Sequence, residues 1–260
     1  MRAGDVLLIA IIAASVAGVA ADAASSGALG GWLSANLSAI GLTAGRVIGW
    51  IGLVLSPLIL LPLAAALWGR FAGLPDPVAG FLSAGAKTID AISITVADAV
   101  RWAGLALVLI TAIIVIQRYV FGVSITVLQE SVIYLHSILF LLSSAAALLT
   151  GGHVRVDILY SKLKARGRAW TDLFGTYLAL IPMSWLILET SRSYVGGAWR
   201  ILERSRESDG LPLVFLLKTA IPLFAVMMIL QGLSMAARAA LTLSGRQAPA
   251  TGENAGDKEL

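Results

Sequence analysis

The sequence predicts an all-α membrane protein with six transmembrane helices, two N-terminal and four forming a core, together with interfacial amphipathic helices. Hydrophobic residues make up 58% of the 260 and charged residues 13%, where an average soluble domain has roughly 25% charged. Mean hydropathy is +0.88. Six apolar runs are long enough to approach or cover the ~30 Å apolar layer of a bilayer at ~1.5 Å per residue, and most Lys and Arg fall between them. A soluble domain is excluded. The net charge of +4 is explained by bilayer topology, and no tract reads as a nucleic-acid footprint. Cysteine is absent, which excludes disulfides, thiolate zinc sites and iron–sulfur clusters.

The first run, residues 5–21, follows Arg2. It reads either as a retained span or as a signal peptide cleaved near Ala21-Asp22-Ala23, and both send the next loop outward. A Gly/Ser/Ala-rich connection through Trp32 leads to the second span, 47–68, bounded by Trp50 and Trp68 at depths where interfacial tryptophans are enriched. Pro57 and Pro62 within it predict a kink, because each removes a backbone donor. Residues 1–70 thus form an N-terminal extension. Residues 71–101 read as an arm along the membrane surface: Val78, Phe81, Leu82, Ile89, Ile92 and Val96 supply the apolar face, and Lys87, Asp90 and Asp98 the polar one.

The four-span core covers 102–242. Its first span is 102–120. A short turn, 121–129, leads to the central one, in which 131–150 carries no formal charge, entered by Glu130 and stopped by Gly151-Gly152. The basic segment after Asp157 places Val156, Leu159 and Leu163 on one face of a second interfacial helix, with its Lys and Arg toward lipid headgroups. The remaining spans are 172–195, containing Pro182, and 211–235, containing Pro222. Residues 243–260, rich in small and polar types, read as a disordered cytoplasmic tail. With both termini cytoplasmic, twelve Lys and Arg lie inside and six outside, with Lys218 in a span, which satisfies the positive-inside rule.

Ionisable groups inside spans are costly and are the first candidates for function. His136, Glu189 and Lys218 are three such groups. The latter two lie ~10 Å below the outer interface at ~1.5 Å per residue, close enough in depth to compensate one another, and His136, six residues past Glu130, is at a similar level; the set serves as a structural cluster, as an ion or proton relay, or for contacts with another subunit or snorkelling. Arg118 and Glu130 flank the outer turn and are placed to pair or to meet a partner. His153 and Asp157, four apart, share a helix face; two ligands make a poor metal site, and an N-terminal anchor for the interfacial helix is the simpler reading. The metallohydrolase His-Glu-x-x-His, the Gly-x-Ser-x-Gly elbow and the phosphate loop are all missing. Ser161-x-x-Lys164 is a chance match in a basic loop. No enzyme is predicted, and no cofactor or metal.

On these residues residues 97–242 resemble the small membrane subunit, the DctQ-type component, of tripartite ATP-independent periplasmic (TRAP) transporters. The features that carry the resemblance are Arg118-Tyr-Val-Phe-Gly122, Glu130, the exit Gly-Gly-His153-Val-Arg-Val-Asp157, and Lys218 with Ile221-Pro222. An aromatic that often shortly precedes the glutamate is replaced by Val127-Leu-Gln129. The first ~95 residues resemble the extension of longer small subunits. The resemblance implies a multi-pass protein of the bacterial inner membrane, embedded among membrane lipids. It implies a large permease subunit as partner, carrying substrate and sodium sites, and a periplasmic solute-binding protein delivering an organic acid or similar solute. The small subunit would then brace the large one, with Arg118, Glu130, His153, Asp157, Glu189 and Lys218 as interface or structural residues. The alternative is a self-sufficient ion or proton carrier using His136, Glu189 and Lys218.

Overall fold

A computed structural model describes residues 2–152, 160 and 162–249. Among these, every regular element is helical, and six helical runs are long and apolar enough to cross a membrane. Helix α1, Ala3–Ala24, ends in a tight turn where Ser26 and Gly27 adopt positive φ values of 56° and 85°. Asp22 then caps the next helix, accepting the Gly30 N–H at 2.6 Å. Helix α2 therefore begins at Ala28 and runs to Leu55, so the expected connection through Trp32 is helical. Scattered glycines cost less here than the leucines, alanines and an acidic cap contribute.

The two prolines act as predicted. Pro57 lies in a 3-10 turn, Ser56–Leu60, and Pro62 in the first turn of α3, Leu61–Ala72, where a missing N–H costs nothing. Gly73, at φ 74°, reverses the chain into α4.

Helix α4 is one run of 45 residues, Asp76–Val120, with no break where the surface arm was expected to give way to a span. The faces of the arm also differ from expectation. Phe81 and Ile92 are 57% and 43% exposed, while Leu82, Ala86 and Ser93 are buried at 4%, 1% and 1%. The packed face combines Val78 and Leu82 with the small and polar Ala86, Asp90 and Ser93. Phe81 and Ile92 lose little by pointing outward against lipid, and close helix contact is what the small residues supply.

Helix α5, Thr126–Leu149, is followed by residues 153–159, so the exit carrying His153 and Asp157, and most of the predicted second interfacial helix, lie outside the described residues. Helix α6, Ala165–Gly175, passes through a π turn, Thr176–Leu180, into α7, Ile181–Ile201. Pro182 lies two residues past the end of that turn and has no N–H for the carbonyl behind it, a cause of such shifts. Helix α8, Val214–Leu243, contains Pro222.

Two compact units divide the chain. One comprises Met1–Ile51, Thr95–Ser143 and Thr190–Pro222. Within it Gly4 of α1 is buried, and a Cβ there would meet the Thr95 carbonyl and the Ala99 nitrogen of α4. Arg101 donates to Asp5 at 2.6 Å and to Asp98 at 3.1 Å. Arg2 donates to Asp98 at 2.8 Å, and this hydrogen bond, reinforced by the carboxylate's charge, raises the guanidinium pKa above its ordinary value. The N-terminus is thus tied to α4 by alternating charges. Helix α2 meets α7 where Gly41 opens a notch for the Trp199 indole.

The other unit comprises Gly52–Ile94, Ser144–Glu189 and Leu223–Leu260. Its core is largely alanine: Ala65, Ala66, Ala86, Ala169, Ala236, Ala237, Ala239 and Ala240 pack with Leu74, Leu82, Leu173, Leu241 and Leu243. Alanine contributes little area per residue, but it lets backbones approach closely, which is how helices associate in lipid. The chain after α8 is held as far as it is described. Arg246 bonds the Leu74 carbonyl at 2.8 Å and Asp76 at 2.6 Å, and Ala248 packs on the core. The tail expected to be disordered from 243 is therefore fixed through 249, with the remainder outside the described residues.

The notch yields a paired prediction. Gly41→Ala places a methyl inside the Trp199 ring and should destabilise the detergent-solubilised protein by about 1–3 kcal/mol. Gly45→Ala, with nothing within 4 Å of the new Cβ, should be neutral or slightly stabilising, as thermal unfolding of the two variants would measure.

Candidate functional site

The first polar centre is built on Glu130, in the second turn of α5, and the loop from Leu202 to Leu213 that joins α7 to α8. Helix α7 stops because Leu202 takes a left-handed φ of 45°, a conformation that costs a non-glycine residue roughly 1–2 kcal/mol. The Glu203 N–H then closes onto the Ala198 carbonyl at 3.0 Å. The loop folds back on itself: Ser205 N–H reaches the Leu211 carbonyl at 3.2 Å, and Gly210 N–H the Glu207 carbonyl at 3.2 Å. At the centre, one carboxylate oxygen of Glu130 accepts the Ser205 hydroxyl. The other accepts the Leu211 N–H at 2.6 Å. A Cβ on Gly210 would enter the space of Ser205 Oγ and Glu130 Oε1, so the loop can close on the carboxylate only with glycine there. Charge-assisted bonds of this kind are about twice as strong as neutral ones.

The same loop carries the partner of Lys218. Its ammonium donates to Glu203 Oε2 at 2.5 Å and lies 3.9 Å from the centre of the Tyr194 ring, a cation–π arrangement. One helical position further, Thr219 receives the Trp199 indole N–H at 2.9 Å, and that indole meets Phe215 edge-on at 4.8 Å. Lys218 was expected to be compensated by Glu189. It takes Glu203 because, from the second turn of α8, the long side chain reaches the loop end, where a carboxylate is easier to solvate.

The second polar centre joins α4 to α8. Asp90 forms an ion pair with Arg238 and accepts Ser234 Oγ at 2.7 Å and Gln231 Nε2 at 3.2 Å. Gln231 in turn accepts the Ser93 hydroxyl at 2.8 Å, and Arg238 donates to Ser234 at 2.8 Å. Gln231 and Ser234 are completely buried. Every polar group here has a partner, the condition under which a buried network stabilises a helix pair.

Of the sequence-predicted residues, Glu130 and Lys218 sit in the first centre. Arg118 is exposed near the end of α4, and among the described residues no ion pair joins it to Glu130, whose carboxylate is committed to the loop. Glu189 lies on the exposed side of α7, and His136 on the exposed side of α5, stacked on Phe140 at 6.2 Å. His153 and Asp157 lie outside the described residues. Sequence reasoning missed Asp90, Gln231 and Arg238. Their signal was present: Gln231, Ser234 and Arg238 fall at i, i+3 and i+7 in an otherwise apolar run, one face of a helix. Among the described residues no group of three His, Cys, Asp or Glu could hold a metal. What the two centres do chemically is to neutralise charge and fix one helix or loop against another.

Two consequences can be measured. Asp90→Ala leaves the Arg238 guanidinium without its carboxylate and should cost about 3 kcal/mol, much of it regained in Asp90→Ala/Arg238→Met, as urea or thermal unfolding in detergent would register. Glu130→Ala removes two charge-assisted bonds, each worth about 1.5–3 kcal/mol. It should speed tryptic cleavage at Arg204 and Arg206 by at least about tenfold in a limited digest.

The matches to known proteins fall on this part of the chain. Residues 107–242 match the family model for tripartite ATP-independent periplasmic transporters, DctQ component. No curated protein and no solved structure matches. The matched stretch is just over half of the chain and contains Glu130, Lys218, Gln231 and Arg238. With its multi-pass helical architecture, this chain belongs to the DctQ family, the small membrane subunits of TRAP transporters.

Proposed function

We propose that this chain is the brace of a three-part uptake system in the bacterial inner membrane. In this reading it holds a large permease subunit in place while that subunit carries out ion-coupled uptake of an organic acid or similar solute, handed over by a periplasmic binding protein. The observation that carries the reading is the use of the polar side chains. Asp90 with Arg238, and Lys218 with Glu203, neutralise one another, and Glu130 holds a loop. Groups so engaged stiffen a membrane body; a transport site instead presents polar groups to a cavity, commonly from broken helices in repeated halves.

Residues 102–242 form the bracing core, and residues 1–70 and 71–101 enlarge it on the N-terminal side. Both termini face the cytoplasm, which puts the Glu130-centred loop on the periplasmic side.

Co-expression with the large permease subunit tests the reading. The two should co-purify as a stable complex in mild detergent, and liposomes should take up solute only when the large subunit is present. Solute or ion flux through liposomes that contain this chain alone, abolished by Glu189→Gln, would replace the brace with the self-sufficient carrier.

A further inference from the structure

His136 is placed where an imidazole is hard to accommodate. It lies six residues past Glu130, which opens the span, and thirteen before Leu149, hence about 9 Å and about 20 Å inside its two ends at 1.5 Å per residue. A short imidazole does not lean from there to the headgroups as Lys and Arg do. Its side chain is exposed on the surface of the chain. Among the described residues it makes no hydrogen bond; its contact is the stack on Phe140. A neutral imidazole carries one donor and one acceptor, and leaving both against hydrocarbon is unfavourable. Ionisable groups at this depth almost always face protein or a water-filled cavity.

The neighbours on that face are large and apolar. Ile133, His136 and Phe140 follow at i, i+3 and i+7, one stripe of a helix, with Ile133 58% and Phe140 65% exposed. Such a stripe, a polar group flanked by bulky apolar side chains, matches the way hydrogen-bonding residues join transmembrane helices. It differs from the exposed stretch of α4 that holds Leu105, Val108, Leu109, Val115 and Ile116, where the exposed polar residue, Thr111, satisfies its hydroxyl on the Leu107 carbonyl.

We infer that the Ile133–His136–Phe140 stripe of α5 is the seat for a transmembrane helix of the large permease subunit, one bearing a hydrogen-bonding side chain within the membrane at the level of His136. The inference rests on the proposed bracing role and adds where on this chain the contact is made.

Because the chain has no cysteine, Ile133→Cys gives a single reactive site in the full-length protein. Labelled with benzophenone maleimide in membranes that also contain the large subunit, it should yield on illumination an adduct with the summed mass of the two. That yield should fall at least fivefold in Ile133→Cys/His136→Leu and recover in Ile133→Cys/His136→Gln, which keeps a donor and an acceptor. An adduct of two copies of this chain overturns the assignment in favour of self-association. Labelling with no protein adduct while the two subunits still co-purify assigns the stripe to lipid, and an unchanged yield in the His136→Leu background removes His136 from the contact. If the subunits fail to co-purify, the bracing reading falls first and the seat falls with it.

Discussion

The Asp90–Arg238 ion pair shows what a bilayer imposes on this sequence. A carboxylate or a guanidinium in a low-dielectric setting is costly by itself, so each must meet the other, and the two helices carrying them are fixed in register as a result. Gln231, Ser234 and Ser93 complete the arrangement by taking up the remaining donors and acceptors. The alanines on either side follow from the same demand, since only small residues bring α4 and α8 near enough for short polar side chains to touch.

The same logic governs the Glu130 centre. A single carboxylate organises a loop of about a dozen residues whose own backbone bonds are few, and glycine at 210 is the steric condition for it. Lys218 ties the root of that loop to α8 through Glu203. In both centres polarity serves as a fastener between elements.

Much of this was legible in the sequence. The number of spans, the interruptions at Pro57 and Pro62 and the importance of Glu130 and Lys218 follow from hydropathy, proline chemistry and the cost of charge in hydrocarbon, and the family resemblance rested on motifs within residues 97–242. In the 71–101 segment the apolar residues divide, with Leu82 buried and Phe81 and Ile92 exposed, a split that helical spacing alone does not reveal. In lipid Phe81 and Ile92 gain nothing by burial, and Asp90 must turn inward to find Arg238. The helical start of α2 at Ala28 was hidden by glycines whose penalty the Asp22 cap offsets. The Lys218 partner was misassigned because counting residues gives depth along a helix but not which way a flexible side chain leans.

The length of helix α4 has a consequence for its surroundings. At 1.5 Å per residue its 45 residues extend about 67 Å, more than twice the thickness of the hydrocarbon layer. No upright orientation immerses such a rod completely, and tilting within the usual range of up to 40° shortens its projection by only about a quarter. A stretch on the order of twenty residues must therefore run through the headgroups or beyond them.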